Sequence, residues 1–152
     1  MKIHKKPDSK IVLISGCFDG GIHRGHQYIL QHAYNLAPEE HSRLIVLLNS
    51  DEYIRKNKGP NRPVNKLSER IKQVDNLSLA DTIISFEDNA ELLNIIKTYQ
   101  PDYIVVGSDY SDINKVVGYP ECLSWGGQVK VIERIKDGKG IDISTTNILK
   151  NE

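Results

Sequence analysis

Five short apolar runs alternate with stretches of helical spacing along the chain, and that alternation limits the fold more than any other feature of the sequence. The runs are Ile11-Val12-Leu13-Ile14, Leu44-Ile45-Val46-Leu47-Leu48, Thr82-Ile83-Ile84-Ser85-Phe86, Tyr103-Ile104-Val105-Val106 and Gln128-Val129-Lys130-Val131-Ile132. Short β-branched runs of this kind read as buried strands. Between them, apolar residues recur at helical spacing: Tyr28, Ile29, Ala33 and Leu36; then Ile71, Val74 and Leu77; then Leu92, Leu93, Ile96 and Tyr99. Pro38 and Pro101 are placed to end helices, and Ser50 or Asp51 and then Asn89 to cap them. Strands that alternate with helices predict parallel βαβ units, and right-handed crossovers put the C-terminal ends of all strands on one rim. A chain of 152 residues with no internal repeat or linker suits one domain over residues 1–152.

The stretch from Gly16 to His26 (Gly-Cys-Phe-Asp-Gly-Gly-Ile-His-Arg-Gly-His) lies directly between the first strand and the first helix. A strand that turns through glycines into a helix N-terminus leaves backbone N–H groups and the positive end of the helix dipole facing outward, which favours an anion. His23 and His26 share one face of the first helical turn and add imidazole donors. Gly25 has no side chain to hold a phosphate off the backbone. The residues describe a polyphosphate cradle containing imidazoles.

Other candidates converge on the same rim. Arg55, Lys56, Lys58 and Arg62 read as four cations of a Gly/Pro-rich loop after the second strand, suited to phosphate contacts. Arg70 falls in the first turn of a helix, where a cation is unfavourable unless an anion meets it; either a bound phosphate or a carboxylate such as Glu69 or Asp75 would serve. Gly107-Ser108-Asp109-Tyr110 closes the fourth strand. Ser144, Thr145 and Thr146 open a final helix, where capping needs one hydroxyl and phosphate binding could use all three.

Gly16-x-Phe18-Asp19 followed by His23-Arg24-Gly25-His26 resembles the His-x-Gly-His signature of the cytidylyltransferase-like nucleotidyltransferases. The resemblance continues through Asn49-Ser50-Asp51, Lys58-Gly59-x-x-Arg62-Pro63-Val64-Asn65, Arg70, Asp109-Tyr110, Gly126-Gly127-x-Val129 and Ser144-Thr145-Thr146-Asn147-Ile148. In this order the elements look like the nucleotidyltransferase half of the bifunctional ADP-heptose synthases, with glycerol-3-phosphate cytidylyltransferase as a near cousin. Three features depart from the pattern. Three residues (Gly20, Gly21, Ile22) rather than two separate Asp19 from His23, and two glycines at positive φ can absorb the extra one as a small bulge. Val106 stands where the heptose enzymes commonly carry Lys, and Ser108 replaces a second Gly.

The resemblance implies a Rossmann-like three-layer α/β sandwich with a five-stranded parallel sheet in the order 3-2-1-4-5. It implies nucleotidyl transfer from a triphosphate to a phosphorylated sugar or polyol, with ATP and a heptose 1-phosphate as the first expectation. A CTP-dependent cytidylyltransferase acting on glycerol 3-phosphate or a similar acceptor is the alternative within enzymes, and a nucleotide-binding module without turnover is the alternative outside them. Carried over residue by residue, His23, His26, Lys58 and Arg70 are expected to be catalytic. Gly16, Cys17, Phe18, Gly25, Gly107, Asp109, Ser144, Thr145 and Thr146 are expected to line the nucleotide, and Asp19, Asn49 and Arg62 the acceptor. Without an acidic cluster to cage a metal, Mg²⁺ is expected to arrive on the triphosphate. The resemblance also suggests a homodimer.

The remaining composition narrows the field by exclusion. Acidic and basic residues balance at 20 each, so no global field recruits nucleic acid or an anionic membrane, and no basic stripe is interleaved with aromatics. The first glycine loop lacks the Gly-x-Gly-x-x-Gly of a dehydrogenase. Cys17 and Cys122, the two cysteines, lack metal-ligand spacing and read as reduced thiols of a cytoplasmic protein. No apolar stretch approaches the ~20 residues needed to span a bilayer, and no signal-peptide core follows the basic start.

Overall fold

The structure, a computed structural model, describes residues 9–38, 40–107 and 112–133. Strands β1 (Ile11–Gly16), β2 (Arg43–Asn49), β3 (Thr82–Phe86), β4 (Tyr103–Gly107) and β5 (Gln128–Ile132) form one sheet in the order β3-β2-β1-β4-β5. Every neighbouring pair is parallel, with Ile14 opposite Val46 on one side and Val105 on the other. This is the expected order 3-2-1-4-5, and it places the topological switch between β1 and β4, where ligands of open α/β sheets bind beyond the strand ends.

Because side chains alternate across a strand, the two faces of the sheet carry separate cores. On one face Val12, Ile14, Val46, Leu48 and Val105 meet Leu30 and Ala33 of α1 (Arg24–Asn35) and Val74 of α3 (Leu67–Asp75). On the other, Leu13, Ile45, Leu47, Ile104 and Val106 meet Leu92 and Ile96 of α4 (Asn89–Tyr99) and Cys122 of α5 (Tyr119–Ser124). Helix α2 (Asp51–Lys58) follows β2 at the rim, and a short 3₁₀ turn, Ile113–Lys115, precedes α5. Each fully buried aliphatic side chain contributes about 1.5–3 kcal/mol of transfer free energy, so the two layers of helices are held on mainly by burial.

Several local expectations change. Arg55, Lys56 and Lys58 lie on α2 and not in a loop, and they occupy its last turn, where the negative end of the dipole favours cations. Ser50 caps that helix, its hydroxyl accepting from the backbone N–H of Tyr53 at 3.0 Å. Asp88, not Asn89, caps α4 by accepting from Glu91 N at 2.8 Å. Helix α1 ends at Asn35, short of Pro38. Among the described residues no helix is long and apolar enough to cross a membrane.

Candidate active site

The last residues of β1, β2 and β4 are Gly16, Asn49 and Gly107, and the parallel order brings all three to one rim. From Gly16 the chain turns through Cys17 and Phe18. Phe18 adopts a left-handed conformation at φ 48 although it is buried at 5 % exposure. Such a backbone is strained for an aromatic residue. Packing holds it there: a Cβ on Gly16 would meet the Phe18 ring at 3.1 Å, and the ring lies 5.3 Å from that of His26. The absence of a Cβ on Gly16 gives the Phe18 ring room for this close approach.

Gly20 and Gly21 follow at φ 81 and 82, both in the left-handed region that glycine adopts readily. His23 then caps α1. Its Nδ1 accepts from the backbone N–H of His26 at 3.2 Å, and the Nδ1 of His26 accepts from the backbone N–H of His23 at 3.4 Å. This is a capping box built from two imidazoles, which stack with centroids 3.6 Å apart and 16° between planes. Since each Nδ1 is used as an acceptor, the neutral rings carry their protons on Nε2. An Nε2–H at a helix N-terminus is a donor suited to a phosphate oxygen.

Two loops are locked together below this pair. The carboxylate of Asp19, fully buried, accepts from the backbone N–H groups of Val64 and Asn65 at 2.7 and 2.8 Å and from Arg62 Nε at 3.0 Å. Burial alone would raise its pKa, but the bonds from Asn65, Val64, Arg62 and the Gly20 backbone outweigh burial and hold it below the usual value. Asn65 Oδ1 in turn accepts from Gly21 N at 3.0 Å.

Arg70 meets a carboxylate, one of the two kinds of partner its position allowed, and its exposure is 0 %. It donates to the carbonyls of Asn65, Cys17 and Asn49 at 3.1, 3.1 and 2.8 Å, and to Asp51 Oδ1 at 2.7 Å. The anion that offsets its place at a helix start is Asp51, across the fold, rather than a phosphate, Glu69 or Asp75. Asp19 is buried, and Arg62, 10 % exposed, is paired to it. Asn49 lies at the rim with its amide donating to Cys17 Sγ at 3.4 Å.

Cys17 is not an activated nucleophile. Burial pushes its thiol up, and the nearby charges of Lys58, Arg70 and Arg62 only partly offset that. The same influence locates Lys58, which is exposed at the end of α2, within electrostatic range of the cradle. Gly25 sits in the first turn of α1, between the two histidines in the chain. Asp109, Ser144, Thr145 and Thr146 lie outside the described residues. Among those described, no group of three or more His, Cys, Asp or Glu could hold a metal ion.

A family model described as cytidylyltransferase-like matches residues 13–151, which spans the sheet, the imidazole pair and the segment carrying Ser144–Thr146. The chain belongs to the cytidylyltransferase-like family. The architecture and signature turn are those of a nucleotidyltransferase domain of this family. Among curated relatives, the bifunctional protein HldE of Alcanivorax borkumensis is 39% identical over 142 residues, covering 93% of this chain and 27% of its own. The bifunctional protein HldE of Caulobacter sp. is 37% identical, covering 92% of this chain and 26% of its own. The chain thus spans about a quarter of the length of those relatives. Two solved structures share the fold. A lipopolysaccharide core biosynthesis protein from Thermoplasma volcanium matches with a TM-score of 0.64 at 23% identity, covering 84% of this chain and 98% of that one. A pantoate-beta-alanine ligase from Francisella tularensis matches with a TM-score of 0.66 at 16% identity, covering 97% and 67%.

The contacts made by Asn65, by Asp51 and within the Asp19–Arg62 pair are not visible in the sequence. The contacts of Asp19 with Asn65 and of Cys17 with Arg70 join residues 46 and 53 positions apart, and no spacing rule links them. The usable signal was chemical: a carboxylate before two glycines and an arginine at a helix start each require a partner.

Proposed function

We propose that this domain transfers a nucleotidyl group from a nucleoside triphosphate to a phosphorylated sugar, with ATP and a heptose 1-phosphate as the favoured pair. The mutually capped His23–His26 pair at the N-terminus of α1 carries this reading, because it fixes two imidazoles through their Nδ1 atoms beside a glycine turn at the switch point of the sheet. The resemblance of the ordered motifs to the nucleotidyltransferase half of the ADP-heptose synthases favours a sugar phosphate as acceptor.

In the proposed reaction an oxygen of the acceptor phosphate attacks the α-phosphorus and forms the new P–O bond. The α–β bridging P–O bond breaks, and its electron pair leaves with pyrophosphate. The acceptor is already an anion, so no protein nucleophile is needed, in keeping with the raised thiol of Cys17. The work left to the protein is alignment and neutralisation of growing charge. His26 would donate to the α-phosphate and His23 to the phosphates beside it. Lys58 would meet the pyrophosphate end or the acceptor phosphate. The backbone at Cys17 and Phe18, Gly25 and Gly107, Asp109 and the Ser144–Thr146 hydroxyls would complete the nucleotide site. Arg70, Asp19 and Arg62 would act by holding the loops. Mg²⁺ would enter on the triphosphate, supplying charge neutralisation with its own waters.

The test is a pyrophosphate-release screen of ATP and CTP, each with heptose 1-phosphates, glycerol 3-phosphate and other polyol phosphates. Release with ATP and a heptose 1-phosphate is the expected result. Release with CTP alone would move the reading to a cytidylyltransferase, and triphosphate binding without any release would reduce the domain to a binding module.

A further inference from the structure

Asn65 touches three separate parts of the site. Its backbone N–H donates to Asp19 Oδ1 at 2.8 Å, its carbonyl accepts from Arg70 Nε at 3.1 Å, and its side-chain Oδ1 accepts from the backbone N–H of Gly21 at 3.0 Å. The first two bonds use main-chain atoms and survive substitution. The third depends on the side chain.

That third bond falls at the tip of the turn, one residue beyond the Gly20 backbone that bonds to Asp19. Gly20 and Gly21 both lie near φ 80, Gly20 is exposed, and no heavy atom lies within 4 Å of the place a Gly21 Cβ would occupy. Side-chain packing therefore cannot locate the tip of the turn. A peptide of two successive glycines has wide backbone freedom, and a hydrogen bond to a fixed acceptor removes much of it. Asn65 is such an acceptor, because Asp19 and Arg70, both fully buried, clamp its backbone from either side. His23 is two residues beyond Gly21, so the reach of the turn sets where the imidazole pair begins.

We infer that Asn65 is a positioning residue for the transfer reaction: its side-chain amide oxygen fixes the double-glycine turn and, through it, the placement of His23 and His26. This rests on the nucleotidyl-transfer reading above. In the same way the lengthened signature turn is matched to a partner on the α2–α3 loop that compensates for its added freedom.

The test compares Asn65→Ala and Asn65→Asp in the full chain by amide hydrogen exchange and by steady-state kinetics with ATP or CTP and an accepted phosphate. In N65A the Gly21 amide should exchange about tenfold faster or more, while the Val64 amide, held by Asp19, stays protected. Turnover should fall roughly 10- to 100-fold with the triphosphate KM nearly unchanged, as expected when reacting groups are displaced by a fraction of an ångström to an ångström. N65D keeps an acceptor for Gly21 and should restore both readouts most of the way. If N65A does not fold, Asn65→Ser, with a shorter reach, should give the same two changes at smaller size.

Wild-type protection of Gly21 together with wild-type turnover in N65A would overturn the inference. So would a loss of protection throughout the sheet, which would make Asn65 a general fold determinant. If the wild-type chain releases no pyrophosphate with any pair, the transfer reading fails, and the Gly21 exchange comparison still decides whether Asn65 holds the turn.

Discussion

The imidazoles of His23 and His26 are stacked 3.6 Å apart, and each Nδ1 accepts the other residue's backbone N–H. A single relationship thus does two jobs: it closes the first turn of α1 and fixes both rings through Nδ1, which leaves the ring proton on Nε2, an atom that in His23 is buried.

His26→Ala should lower turnover by roughly 10²–10³, the size found when one donor to developing negative charge is removed. The same change deletes half of the capping box and should cost about 1 kcal/mol of stability. Steady-state pyrophosphate release and urea denaturation measure the two effects separately. Wild-type turnover in this variant would mean that the chemistry lies elsewhere.

Lys58 is exposed, so its contribution should depend on salt in a way that the imidazole contribution does not. Lys58→Ala should reduce kcat/KM by about tenfold, on the order of one lost charged hydrogen bond, with Lys58→Arg close to wild type. Repeating the assay across a salt series should show the gap between wild type and K58A narrowing as salt rises.

Asp19 links stability to acid. Its pKa is held below the ordinary 3.8, so the folded state releases its proton at lower pH than the unfolded chain does. The resulting stabilisation is present in full above the unfolded value and disappears as pH falls through the folded one. Asp19→Asn should therefore lower stability at neutral pH by about 1–3 kcal/mol and flatten the loss of stability below about pH 4. Denaturant midpoints measured from pH 7 down to 3 for both proteins would show a converging pair of curves. Parallel curves would remove Asp19 from that role.

Arg70→Met should be costly for the fold. It leaves the carbonyls of Cys17, Asn49 and Asn65 without their donor, and Asp51 without its cation. Breaking a buried pair costs about 3–5 kcal/mol, and because Asp51 is one-third exposed and can rehydrate, about 2–4 kcal/mol is expected here. Denaturant unfolding measures the loss. A variant that keeps full stability but no longer binds triphosphate would return Arg70 to the role of a ligand contact.

How much of this could be read from the sequence differs from element to element. The run Leu44–Leu48 forms β2, because burial of both sheet faces forces a continuous apolar strand, and Thr82–Phe86 and Gln128–Ile132 form the edge strands β3 and β5. The cradle could also be read, since a strand, a glycine turn and a helix start are neighbours in the chain. The cations at Arg55, Lys56 and Lys58 were assigned to a loop because Gly59 and Pro60 follow them, whereas the Ser50 cap and the dipole extend α2 to Lys58.

The sequence by itself determined the βαβ alternation, the family signature and the two imidazoles at the first helix, all of which rest on periodicity or on contacts a few residues long. The tertiary structure alone decided which charged groups are spent inside the protein. Arg70, Arg62 and Asp19 read from the sequence as site residues, and only the fold brings Asp51, Asn49, Val64 and Asn65 beside them. The physical reason is that a buried charge takes whichever partners desolvation leaves within hydrogen-bond reach, and that depends on the packing of distant segments.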